Sequence, residues 1–118
     1  MNATQLRTEL RAALRTALRA RDRTTTQALR SAISAVDNAE AVPTDARAGA
    51  IEAAAVGVGA TEADRRHLST TDLRAVLQAE VDERHAAADE CATAAPETAE
   101  RLRAEAAVIA GYADGVPK

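Results

Sequence analysis

The sequence predicts an all-α fold, a small antiparallel bundle of two helical hairpins forming a single domain over residues 1–118. Three observations point there. Apolar residues recur at three- and four-residue spacing in four separate stretches. Ala, Leu, Arg and Glu, among the strongest helix formers, dominate the composition. Gly and Pro concentrate between the second and third stretches rather than inside them. The expected helices cover about 4–20, 25–39, 70–93 and 96–112. A chain of 118 residues buries enough surface to fold without a disulfide or a metal.

In the first helix, Leu6, Leu10, Leu14 and Leu18 form an apolar stripe with Ala13 and Ala17, and Asn2 or Thr4 can cap its first turn. Beside the stripe, Arg7, Arg11, Arg15 and Arg19 repeat every four residues. Two readings of this ladder are open: phosphate contact, because guanidinium forks match phosphate oxygens, or pairing with acidic neighbours while the stems cover apolar surface. Arg21-Asp22-Arg23-Thr24 interrupts the pattern, and Asp22 or Thr24 caps the next helix. The link is short, so the first two helices form an αα-hairpin.

The second helix carries the stretch Leu29–Glu40. Leu29, Ala32, Ile33, Val36 and Ala39 make a seam, and Arg30, Ser34, Asp37 and Asn38 make a polar row opposite. Arg30 is expected to pair with an acid such as Glu80, and Asn38 to hold the start of the loop at Pro43.

Residues 41–68 read as a long, partly ordered loop containing Pro43, Gly49, Gly57 and Gly59. A helical turn or two fits Ala50–Ala55, and a short strand pair between Ala41–Val42 and Arg66–Leu68 would close the base. Gly57 and Gly59 lack the third Gly and the Lys-Ser/Thr of a phosphate loop.

Ser69-Thr70-Thr71-Asp72 is a capping box that opens the third helix, with Asp72 in place of the usual Glu. Its seam is Leu73, Val76, Leu77, Val81 and Ala88, and Glu80 stands four residues before Arg84, in the orientation that pairs well. Pro96 and Glu97 begin the fourth helix, whose seam is Leu102, Ala106, Ile109 and Tyr112, joined by Val108. Gly111 lies near its end, and Gly115 and Pro117 lie in a tail that is expected to be frayed.

The net charge of −3 is unevenly spread. Residues 1–40 hold seven Arg against four acids, and residues 69–118 hold ten acids against five basic residues. The negative total argues against a tight general nucleic-acid binder, and no DNA partner is expected. Tyr112 is the sole aromatic, so aromatic side chains for base stacking are missing. A lone cysteine, Cys91, fits a reducing, cytoplasmic setting. No apolar run is long enough for a membrane span and no secretory signal is visible, so no membrane role is expected. Heavy Ala and Arg usage, with one Lys, suggests a GC-rich bacterial genome.

Catalytic constellations do not emerge. His85 with Asp82 and Asp89 is the one arrangement resembling a metal pair, and nothing completes it. Acidic Asp89 and Glu90 disfavour a thiolate at Cys91. No catalytic residue, metal or cofactor is expected.

The strings Arg21-Asp22, Leu29-Arg30, Ile33 and Asn38-Ala39-Glu40 resemble the first helical hairpin of YqeY-like proteins, the GatB/YqeY family. Leu73, Val76-Leu77-Gln78-Ala79-Glu80-Val81 and Arg84 resemble their later helix, and Ala104-Glu105, Val108-Ile109 and Tyr112 the one after it. The resemblance implies an all-helical domain related to helical parts of the GatB component of the glutamine-dependent aspartyl/glutamyl-tRNA amidotransferase, a carbon–nitrogen ligase with glutamine as amido donor. In that enzyme such regions support tRNA recognition and leave amide transfer to other domains. Longer relatives continue past the Tyr112 position into a small helical tail domain associated with tRNA contact, which this sequence is expected to lack. The implied role is a non-catalytic accessory module with tRNA or the amidotransferase as partner. The alternative is a protein-interaction or oligomerisation module with no RNA partner. The candidate binding residues are Arg7, Arg11, Arg15, Arg19, Arg30, Asn38, Glu40, Glu80 and Arg84.

Overall fold

The computed structural model describes residues 1–41 and 65–117. They form four helices: α1 (Ala3–Arg19), α2 (Arg23–Glu40), α3 (Thr70–Cys91) and α4 (Pro96–Gly115). The all-α expectation holds, and the boundaries fall within about three residues of those read from the pattern.

Local chemistry sets most of the ends. Asn2 Oδ1 accepts from the Gln5 N–H at 2.8 Å, and Gln5 Oε1 accepts from the Asn2 N–H at 2.8 Å, so α1 opens with a closed capping box. Asp22 caps α2 by accepting the Thr25 N–H at 3.0 Å and the Thr25 hydroxyl at 2.7 Å. Ser69 and Asp72 exchange reciprocal bonds of 3.1 and 3.0 Å at the start of α3. Pro96 occupies the first turn of α4, where its missing N–H costs nothing.

These bonds favour the ionised carboxyl, and they hold Asp22 and Asp72 below the ordinary value of 3.8. At Asp22 the larger contribution is the Thr25 hydroxyl, and at Asp72 the Ser69 backbone N–H. A group whose folded pKa is depressed stabilises the fold above its unfolded value, and that stability is lost as pH falls through the folded pKa. The contribution of these two caps to stability is therefore expected to hold on acidification until near pH 3.8 and to be lost below it. Asp22→Asn keeps a capping oxygen without the titration, so it should flatten this acid limb when melts are followed by circular dichroism. An unchanged limb would refute the assignment.

The α1–α2 link is a Schellman motif fused to a helix cap. The Asp22 N–H donates to the Ala17 C=O at 3.0 Å and the Arg21 N–H to the Leu18 C=O at 3.2 Å. Arg21 consequently sits at φ 57°, the left-handed region that glycine prefers. Arg21→Gly is expected to stabilise the protein by about 0.5–1 kcal/mol in urea denaturation. A destabilised variant would show that the side chain makes contacts that outweigh the backbone cost.

Helix α2 is central. It packs against each of the other three helices, α3 and α4 pack closely on one another, and α1 rests chiefly on α2. The first hairpin is antiparallel, since Arg7 near the start of α1 meets Asp37 and Glu40 at the end of α2. The second is antiparallel too, joining Arg84 to Glu105 and Arg103 to Asp89. Leu6, Leu10, Leu29, Val36, Leu73, Leu77 and Ile109 are fully buried. In the same core lie Ala28, Ala32 and Ala106, none of which has exposed surface. Such small side chains let the helix backbones approach closely, and the larger ones supply most of the apolar burial, each worth about 1.5–3 kcal/mol.

Four expectations change. The α1 stripe does not stay on one face: Leu14 is half-buried and Leu18 is 46% exposed, while Ala17 turns inward. Residues four apart advance about 400° around a helix, so an i, i+4 ladder drifts about 40° per step and leaves the seam after two or three. Ala41 and Arg66–Leu68 form no strand, and one backbone bond runs there, from the Arg66 N–H to the Glu40 C=O at 2.7 Å; Val42, the rest of the expected strand pair, lies outside the described residues. The expected tail is helical through Gly115 and docked at Val116, which is buried and whose C=O accepts from Arg74 Nη2 at 2.9 Å, while Pro117 is exposed. Arg30 does not pair with Glu80, as described below. The turn expected at Ala50–Ala55, the Gly57/Gly59 segment and the Asn38 hold on Pro43 involve positions outside the described residues.

Candidate functional site

The nine residues singled out from the sequence fall into three places. Arg7, Glu40 and the neighbouring Asp37 form an ion cluster at the open end of the first hairpin. Arg7 Nε donates to Asp37 Oδ1 at 2.9 Å, and Arg7 Nη2 pairs with Glu40 Oε1. Arg7 is buried, so it belongs to the α1–α2 contact and is not a surface member of the arginine ladder. The same drift that carries Leu18 outward starts the arginine row in the interface. Asn38 is exposed next to this cluster, and its C=O accepts from the Ala41 N–H at 3.2 Å.

Glu80 and Arg84 form the second group, on α3. Arg84 Nη1 donates to Glu80 Oε1 at 3.1 Å, as their four-residue spacing predicts. Arg84 Nε also donates to Glu105 Oε1 at 3.2 Å, and Glu105 Oε2 lies 3.6 Å from Arg101. Glu105 is buried. Its role across the α3–α4 contact is not visible in the sequence because the partners are 21 residues apart. The start of α2 comes close here, where Arg23 and Gln27 face Arg84, Arg101 and Glu105 across a shallow cleft. Arg84 joins Glu80 to Glu105, Arg101 lies against Glu105, and Arg30 forms no ion pair with Glu80.

The third group is cationic. Arg11, Arg15 and Arg19 are exposed along α1, about 6 Å apart in rise. Arg21, Arg23 and Arg30 are exposed around the α1–α2 turn. None of these six pairs with an acid among the described residues. Asp22, the one acid among them in sequence, is spent on capping α2. Arg21, Arg23 and Arg30 line a cleft of about 300 Å³ together with Leu18 and Thr26.

Arg30, Asn38 and Glu80 do not share a cleft. Arg30 and Asn38 lie eight residues apart on α2, about 12 Å in rise, and Glu80 is engaged on α3. The His85 group is dispersed as well: Asp82 accepts from Gln78 at 2.9 Å and Asp89 from Arg103 at 3.3 Å. No cluster of three or more His, Cys, Asp or Glu suited to a metal occurs among the described residues. The Cys91 thiol is half-buried and donates to the Ala88 C=O at 3.7 Å. No described helix is long and apolar enough to cross a membrane. The arrangement leaves six exposed guanidiniums on the first hairpin without acidic partners among the described residues. Comparison with protein-family models, curated proteins and solved structures finds nothing that matches this chain.

Proposed function

We propose that this protein is a non-catalytic binding module whose first hairpin engages RNA through its phosphates. This accords with the resemblance to YqeY-like proteins and to the helical part of the GatB component of the tRNA amidotransferase, with tRNA as the RNA partner. The supporting observation is the row of six exposed arginines on α1, the turn and α2, all without acidic partners among the described residues. Arginine forks bind phosphate oxygens two at a time, and a fixed helix holds them at constant spacing. The acids of the second hairpin keep the total charge negative, which disfavours general polyanion binding.

A mobility-shift titration with bulk tRNA at physiological salt tests the reading. Binding should weaken as salt rises, because each neutralised phosphate releases counterions. Replacing Arg11 and Arg15 together by Ala should lower affinity and reduce the log–log salt slope by about 2. Absence of a complex, or a complex indifferent to this double change, would overturn the RNA assignment.

A further inference from the structure

Resting on the RNA reading, the geometry points to a specific subsite: the cleft at the α1–α2 turn takes one unpaired nucleotide, its phosphate held by Arg21, Arg23 and Arg30 and its base laid against Leu18. Four observations converge on that cleft. Three guanidiniums reach it from the turn and from two points on α2, and none has an acidic partner among the described residues. Leu18 is 46% exposed beside them, and the other exposed large apolar residue among those described, Met1, is remote at the chain start. Arg21 occupies the left-handed position of the Schellman motif, where glycine would sit without strain. The fold therefore carries an arginine where backbone preference favours none. The volume of about 300 Å³ lies at the low end for small-molecule sites, enough for a single group and small for an extended cofactor.

The pairing of charge with an apolar face selects the ligand. A continuous duplex presents phosphates and 2′-hydroxyls to such a surface, and its base faces are hidden in the stack. An arginine patch alone would serve for that. Leu18 adds an apolar contact that only an unstacked base, in a loop, a bulge or a single-stranded end, can use, and guanidinium planes also stack on splayed bases. Thr26 lies buried in the wall of the cleft, so α2 gives it a fixed side rather than a mobile one.

Fluorescence anisotropy at physiological salt tests this with three probes: a short single-stranded RNA, a blunt RNA duplex of equal length, and bulk tRNA. Leu18→Ser removes the apolar contact and should weaken single-strand binding roughly fivefold, leaving the duplex unchanged. Arg21→Gly should weaken single-strand binding and cut its salt slope by about 1. The same variant should melt at a higher temperature than the wild type, which separates lost binding from lost folding. If tRNA binds and Leu18→Ser leaves single-strand affinity unchanged, or weakens duplex and single strand equally, the nucleotide subsite is wrong and the RNA reading stands. If no RNA binds at all, the RNA reading falls and the subsite with it.

Discussion

Leu77→Ala is expected to lower the unfolding free energy by about 2–5 kcal/mol, measured by urea denaturation followed by circular dichroism. Leu77 has no exposed surface and sits on α3 in the core shared with α2 and α4. Truncation removes its transfer free energy and leaves a cavity. The alanines of the same core, Ala28, Ala32 and Ala106, have no rotamers with which to fill the space. Domains of this kind are stable by only roughly 5–15 kcal/mol, so the loss takes a large share of the total. Leu77→Met conserves volume and should cost less than about 1.5 kcal/mol. A Leu77→Ala variant as stable as Leu77→Met would show that the second hairpin does not depend on this packing.

The residues that made the fold legible are those whose signal is local. Asn2, Asp22 and Ser69 cap helices through neighbours three residues away, and a local pattern of that kind is visible in sequence. Leu73, Leu77 and Val81 take only two steps of four before Ala88 follows at seven, which turns the seam back, and all of them are buried. The α1 ladders take three strict steps of four, and there a repeat interval misleads. Both rows twist about 40° per step, so Leu18 emerges and Arg7 turns under. A helical-wheel angle, rather than a repeat interval, separates Arg7 from Arg11, Arg15 and Arg19. The candidate site was legible as an arginine-rich hairpin and not as a cleft. Contacts such as Arg84 with Glu105, or Arg74 with Val116, join residues 21 and 42 positions apart and leave no periodic trace. Tyr112 shows the same limit. Its half-buried phenol is pushed above the usual 10.0 first by burial and then by the charge of Glu9 on α1, a neighbour set by the tertiary fold alone.

Arg7→Ala is expected to cost about 2–4 kcal/mol in the same denaturation measurement. The side chain of Arg7 is 8% exposed, Glu40 14% and Asp37 50%. Asp37 can turn to water when the guanidinium is gone, but Glu40 cannot, so the cost is chiefly that of a stranded carboxylate. Arg11→Ala, at an exposed position with no acidic partner among the described residues, should stay within about 0.5 kcal/mol of the wild type. Arg7→Lys should recover only part of the loss, because one ammonium cannot reproduce the fork that meets Asp37 through Nε and Glu40 through Nη2. The decisive variant is the double change Arg7→Met with Glu40→Leu. Removing both charges together abolishes the stranded partner while an apolar stem still covers α2, so stability should return to near the wild-type value. Were the double variant as unstable as Arg7→Ala, the cluster would be holding the hairpin by attraction. Recovery would instead mean that Arg7 serves mainly to neutralise Glu40, whose backbone C=O also ties the end of α2 to Arg66. Because Arg7 is turned inward, tRNA affinity should be unchanged in the double variant, so its binding curve also checks that the anion-facing row begins at Arg11.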